Sequence, residues 1–166
     1  MAFEGRRPET QSDIWTLSLD SDAEPVPFQQ TEADETLPAF SPDGRWIAYQ
    51  SDVSGRYEVY LMPFPGPGGR YQVSAEGGTH PRWNPNGAEL FYRHEGRVIA
   101  VDVSLTREPE LGRPRVLFDG PYEDVYDVAP DGDSFVMIQE EEEEPPTEIR
   151  IVLNWFDELE RKMQAK

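Results

Sequence analysis

Two histidines, His80 and His94, and a scatter of carboxylates are the residues whose types could do chemistry in this chain. A histidine pair becomes a zinc site when it sits at fixed spacing beside a third ligand, as His-x-x-x-His does on a helix. Here the two lie in different extended segments without such spacing, so no metal site is expected. Asp43 and the Asp131-Gly132-Asp133 stretch carry oxygens that a calcium loop would use. An aspartate beside Pro and Gly more commonly accepts N–H bonds from its own turn, and that structural role is expected for both. Arg45 and Arg82 are expected to pair with neighbouring acids. Pro65-Gly66-Pro67-Gly68-Gly69 is glycine-rich, but proline interrupts it and no Lys, Ser or Thr follows. It reads as a wide turn, not a phosphate cradle. There is no Gly-x-Ser-x-Gly elbow and no kinase signature. The chain has no cysteine, which excludes disulfides, thiolate zinc sites and cysteine nucleophiles. No catalytic residue, metal or cofactor is expected, and the chain is read as a non-enzyme.

Composition narrows the partners. The 166 residues fit one domain. Fifteen basic residues against 33 acidic ones give a net charge of −18, which repels a phosphate backbone and argues against nucleic acid. Aromatics at 11% argue against simple disorder. No apolar run approaches the roughly 18 residues of a membrane span, so no membrane insertion is expected. The opening Met1-Ala2-Phe3-Glu4-Gly5-Arg6-Arg7 lacks an apolar signal core, so the chain as encoded is expected in the cytoplasm.

The elements that must position any site come from a repeat. Ser41-Pro42-Asp43-Gly44, Asn84-Pro85-Asn86-Gly87 and Ala129-Pro130-Asp131-Gly132 recur at intervals of 43 and 45 residues. Each follows an extended segment ending in Phe40, Trp83 or Val128. Each precedes an aromatic and β-branched run: Trp46-Ile47-Ala48-Tyr49, Glu89-Leu90-Phe91-Tyr92 and Ser134-Phe135-Val136-Met137-Ile138. Proline sets φ at the first central turn position and Gly accepts the left-handed one, so each unit reads strand, tight turn, strand. Third strands are expected over 57–62, 97–103 and 148–153, with weaker fourth strands over 70–74 and 114–118. Four short strands per period of about 40–45 residues is the pattern of a β-propeller blade.

The fold class expected is therefore all-β: a partial propeller of four-stranded antiparallel blades, two full and two partial, with a short C-terminal helix. Residues 1–30 form a partial blade, 36–75 and 79–118 full blades, 124–155 a second partial blade, and 156–166 the helix, with Asn154 as N-cap. The first partial blade has its second to fourth strands, beginning at Met1 to Phe3. Between Asp119 and Glu148 stand twelve acids and no base, five of them the run Glu140 to Glu144. This stretch reads as a solvated hairpin loop.

Asp13-Ile14-Trp15, the stretch from Pro38 to Tyr49, Tyr57-Glu58-Val59-Tyr60, Gly77-Gly78-Thr79-His80-Pro81-Arg82-Trp83 and Tyr126-Asp127-Val128-Ala129-Pro130-Asp131-Gly132 resemble the TolB-like β-propeller repeat. The resemblance spans essentially the whole chain. It is nearest to the propellers at the C-terminus of bacterial transmembrane serine/threonine protein kinases, whose ends resemble Val152 to Leu159 here. The resemblance implies six four-stranded blades serving as a sensor or interaction platform, without chemistry in the propeller. It also implies that relatives carry the module beyond a membrane segment, which makes an extracytoplasmic site the alternative. This chain lacks the kinase domain and about half the blades, so a truncated or internally started reading frame is an open expectation.

Propellers gather their blade-entry loops at one end of the channel, where ligands bind. Those loops hold Glu35, Thr36, Thr79, His80, Glu123 and Asp124, the candidate ligand rim. Their acidity points to a protein or peptide partner of basic character, or a small polar ligand. The alternatives are a regulatory or accessory piece of a kinase or hydrolase, or a fragment without its own role. Six blades of this period need about 260 residues, so two copies closing one ring as a homodimer is the assembly expected.

Overall fold

The computed structural model describes residues 1–6, 11–19, 22–66, 68–106, 108–139 and 163. The expected strand over 148–153, the run Glu140 to Glu144 and the terminal helix lie outside the described residues, except for Met163, which is exposed. Among the described residues the chain forms four antiparallel sheets, each built from consecutive strands. The first holds β1 (Ala2–Arg6), β2 (Ser12–Thr16) and β3 (Val26–Gln29). The second holds β4 (Glu35–Phe40), β5 (Trp46–Ser51), β6 (Glu58–Pro63) and β7 (Tyr71–Gln72). The third begins with β8 (Thr79–Trp83), β9 (Glu89–His94) and the eight-residue β10 (Arg97–Ser104). Two segments share the far edge of β10. One is β11 (Glu110–Leu111), on Val103 and Ser104; the other is β12 (Arg115–Asp119), on residues 97–100. The fourth sheet is the hairpin of β13 (Tyr122–Val128) and β14 (Phe135–Gln139). The β11 segment was not foreseen. It is there because β10 outruns β12 and would otherwise leave unpaired edge groups.

The three repeated turns close as their composition requires. Gly44, Gly87 and Gly132 donate their N–H groups to the carbonyls of Ser41, Asn84 and Ala129 at 2.8, 2.8 and 2.9 Å. Asp43 accepts from the Ser41 hydroxyl at 2.6 Å and the Arg45 N–H at 3.0 Å, and pairs with the Arg45 guanidinium. Those bonds hold its carboxyl below the usual range. Asp131 accepts from the N–H groups of Asp133 and Ser134. Both aspartates thus serve their turns. Gly132 has φ +78°, and a Cβ there would stand 2.3 Å from Asn84 Oδ1. No side chain fits between those two turns.

Burial explains why the repeat needs its neighbours. On β5, Trp46 and Ala48 face the third sheet while Tyr49 faces the first; β6 alternates the same way, with Val59 and Leu61 against Tyr60. On β9, Leu90 and Tyr92 join the layer against the second sheet, whereas Phe91 joins Tyr126 and Phe135 in the layer against the fourth. Central strands are therefore apolar on both faces, and each sheet is stable only when sandwiched. Phe91 and Phe118 each meet Phe135 edge-on, with centroids 5.0 and 5.3 Å apart. Trp83 Nε1 donates to the Ala39 carbonyl at 3.1 Å, fastening the third sheet to the second. Consecutive antiparallel sheets stacked in chain order are the architecture of a partial β-propeller.

Candidate functional site

Register fixes which end of the sheets carries the candidate rim. Phe40 pairs with Ile47 beside the Pro-Asp-Gly turn, and Glu35 pairs with Ser51 at the opposite end. The starts of β4, β8 and β13 therefore share one end with the loops joining β5 to β6 and β9 to β10. All six rim residues lie there, at Glu35, Thr36, Thr79, His80, Glu123 and Asp124.

Their environments differ. Glu35 is fully buried; its Oε1 accepts from the Thr31 hydroxyl, and its Oε2 has no hydrogen-bond partner. Burial pushes this carboxyl above its ordinary value despite the Thr31 bonds. It offers no surface charge. Thr36 is half-buried, and Glu123 is exposed. Thr79 and Asp124 line one cleft of about 330 Å³ together with Arg93, Gly78 and Arg56. An adjoining cleft of about 390 Å³ is floored by Tyr92, Ile99 and Val116. The two share Gly77, His94 and Glu95, and form one trough across the loop end.

The innermost strands enter the sheets through a bulge, and the bulge is clamped from the preceding sheet. Register shifts between Thr36 and Ala39 and between Thr79 and Arg82. Leu37 and His80, each before a proline, take φ of +52° and +53°. This left-handed geometry is costly for residues other than glycine and persists only where surroundings enforce it. The enforcing groups are side chains of the sheet before. Leu37 N–H donates to Glu4 Oε1 at 2.8 Å, and His80 N–H donates to Gln50 Oε1 at 2.9 Å. Glu4 sits opposite Ile14 and Gln50 opposite Val59, the same position of two repeats. In the third sheet that position is Arg93, opposite Val98. Arginine cannot accept a hydrogen bond. Correspondingly, no residue of β13 takes a positive φ, and its bulge runs from Tyr122 to Tyr126. Arg93 Nη2 instead donates to the Tyr122 carbonyl at 3.0 Å.

Neighbouring loops are braced by carboxylates that sequence reasoning did not single out. Glu58, 1% exposed, accepts from Ser74 Oγ at 2.5 Å, from Arg56 Nε at 2.7 Å and from Gly77 N–H at 3.0 Å. It sets the loop that leads into Thr79. Asp34 accepts from the Tyr57 hydroxyl and from Ser12 N–H, and these bonds outweigh burial to keep its carboxyl below the ordinary value. The Asp34 bond in turn is the main cause that pushes the Tyr57 hydroxyl up to about 12. Stacking the repeats would have found Glu58, which stands where Asp13 stands in Asp13-Ile14-Trp15. Arg82, expected to pair with an acid, donates from Nη1 to the carbonyl of Pro81 at 2.9 Å. Among the described residues no group of three His, Cys, Asp or Glu is placed to hold a metal ion, and no helix is long and apolar enough to cross a membrane.

No family model matches the chain. It is 26% identical to an uncharacterized protein of Agrobacterium fabrum, with 76% of this chain and 47% of that protein covered. The chain thus spans about half the length of the curated relative it matches. Among solved structures it resembles a TolB protein of Acinetobacter baumannii, with a TM-score of 0.60, 21% identity, and 81% of this chain covered against 34% of that one. It also resembles a protein provisionally assigned as TolB from Agrobacterium tumefaciens, with a TM-score of 0.54, 21% identity, and 72% of this chain against 46% of that one. The fold is thus that of a TolB-like β-propeller, present in part. The resemblance to kinase-borne propellers has no counterpart in these names.

Proposed function

We propose that this chain is a non-enzymatic interaction module that holds a protein or peptide segment in the trough at the blade-entry end. One observation carries the reading: two adjoining clefts of about 390 and 330 Å³ run across the loops where β8 begins, one floored by Tyr92 and Ile99 and the other lined by Thr79 and Arg93. A groove with an apolar floor and polar walls suits an extended segment. Glu76, Glu95, Glu123 and Asp124 are exposed around it, which favours basic side chains on the partner. The test is selection of binders from a random peptide library, followed by alanine at Thr79, His80 and Glu123. Loss of affinity of about tenfold or more at two of these positions is expected. Alanine at Pro85 and Asn86, in a turn at the opposite end, is expected to change nothing. The reverse pattern overturns the reading.

The open sheet faces support a further element of it, that a second copy of this chain covers them. Val125, Val136 and Ile138 are 55, 67 and 50% exposed on the face of the fourth sheet that points away from the third. On the first sheet Ile14 and Phe28 face inward, leaving Phe3 and Trp15 on the opposite face. Such faces sit between sheets elsewhere in the molecule. Light scattering over a dilution series is expected to give a mass near twice the 19.0 kDa of one chain. A single-chain mass throughout the series removes the dimer and leaves the rim reading standing.

A further inference from the structure

Among the described residues Arg93 is the largest fully buried side chain, at 1% exposed, and its charge is incompletely used. Nη2 donates to the Tyr122 carbonyl, but Nε and Nη1 have no hydrogen-bond partner. The nearest carboxylate, Asp124, stands 3.5 Å from Nε, beyond the usual 2.7–2.9 Å of a charge-assisted bond, and is itself 64% exposed. A buried guanidinium with a long, solvated partner is an uncommon arrangement, because an uncompensated buried charge is costly. Two more polar groups nearby are without partners. They are the Tyr126 hydroxyl and His80 Nδ1, and both feel the charges of Arg82 and Arg93. Burial holds the Tyr126 hydroxyl in its protonated form, able to donate, and His80 in its neutral one. The two sheets before the third present an acceptor at the Arg93 position and use it on the next sheet. Here the acceptor is replaced by a donor, and Arg93 stands at a cleft beside Asp124 with no acceptor at close range for Nε.

We propose that this cleft between the third and fourth sheets binds a carboxylate of the partner segment, an Asp or Glu side chain or a C-terminus, with Arg93 as its anchor. The inference rests on the rim reading and names the group that the rim recognises. The incoming carboxylate exchanges for Asp124, whose exposure leaves it free to swing into water, and accepts from Nε–H at the short distance of a charge-assisted bond that Asp124 does not reach. The partner segment then carries basic side chains for the exposed glutamates and one acid for Arg93. A molecule with a net charge of −18 attracts no anion by its overall field, so recognition depends on this local geometry.

The experiment is proton–nitrogen NMR on the full chain, following the Arg93 side-chain Nε–H and the amides of Gly77, Gly78 and Thr79. N-acetylglycine, its neutral amide and inorganic phosphate are titrated separately. N-acetylglycine is expected to shift these signals saturably at millimolar concentration, while the amide leaves them in place and phosphate acts more weakly. Asp124→Asn removes the competing carboxylate and is expected to tighten N-acetylglycine about threefold or more; Arg93→Lys is expected to weaken it about tenfold. The proposal falls if no signal saturates by tens of millimolar, if the amide matches the acid, if phosphate binds more tightly, or if Asp124→Asn weakens binding. Asp124 is exposed, so its variant and the amide control decide the matter even if Arg93→Lys fails to fold. If N-acetylglycine binds at Arg93 while selected peptides ignore alanine at the rim, the carboxylate site stands and the rim reading falls. If peptides bind at the rim and N-acetylglycine does not, the rim reading stands alone.

Discussion

The junction of the second and third sheets and the junction of the third and fourth are built from the same repeat and end differently. At the former, Gln50 accepts the His80 N–H, the bulge is left-handed, and the layer of Trp46, Leu61, Leu90 and Val101 is buried throughout. At the latter, Arg93 donates to the Tyr122 carbonyl, and much of the packing is by the half-buried Leu117, Phe118, Val128, Phe135 and Met137. One changed residue type at one repeat position reverses the direction of hydrogen bonding. The neighbouring strand then has no N–H to turn inward and no reason to hold a strained φ. A repeat preserves the position of a contact, while the chemistry of that contact is free to change, and function enters where it does.

The comparison is broken most severely in the apolar layers. Leu90→Ala, at a fully buried position of the first junction, is expected to cost about 2–5 kcal/mol in urea unfolding. Met137→Ala, at the half-buried second junction, is expected to cost about half that. Equal costs would mean that both junctions are packed alike. Next in size is the clamp. Gln50→Leu keeps the volume and removes the acceptor, leaving His80 N–H unpaired, at an expected cost of about 1–2 kcal/mol. Smaller again is the backbone effect. Leu37→Gly relieves a positive φ and is expected to stabilise by up to about 1 kcal/mol, offset in part by lost burial. Val125→Gly has no such strain to relieve and is expected to destabilise. Stabilisation by both would mean that the fourth sheet also holds a strained bulge.

The smallest effects appear in pH dependence, with opposite signs for two residues of the rim. Burial raises the Glu35 carboxyl, so the folded chain keeps its proton where the unfolded chain has lost it. The stability this group contributes is present below the ordinary value of 4.5 and is lost as pH rises through its folded value. Glu35→Gln is therefore expected to exceed the wild type in melting temperature at neutral pH, with the gap closing as pH falls through the folded value towards 4.5. Burial lowers His80, so the unfolded chain takes up a proton first. Stability then falls as pH drops through 6.5, and His80→Gln is expected to remove that part of the slope. Parallel pH profiles of each variant and the wild type would show that these environments are not as buried as described.

The sheets and their turns were legible because their signals are local. Pro-Asp-Gly at Pro42 and Pro130 and Pro-Asn-Gly at Pro85 dictate tight turns, and the aromatic and β-branched runs after them pair back at once. The run Trp46 to Tyr49 is apolar without alternation, which suits the strand buried on both faces that the structure shows. The rim positions were legible too, since they follow from topology once the repeat is phased. Their chemistry was not. Glu35 reads as an exposed acid in the sequence and is fully buried. Residue types, spacing and charge thus determined by themselves an acidic stack of hairpins with a loop-bearing end. The clamps at that end join residues 33, 30 and 29 positions apart: Glu4 to Leu37, Gln50 to His80 and Arg93 to Tyr122. Only the tertiary structure decided which polar atoms face each other across the sheets, because hydrogen bonds between stacked layers depend on how whole sheets are set against one another, and no local pattern records that.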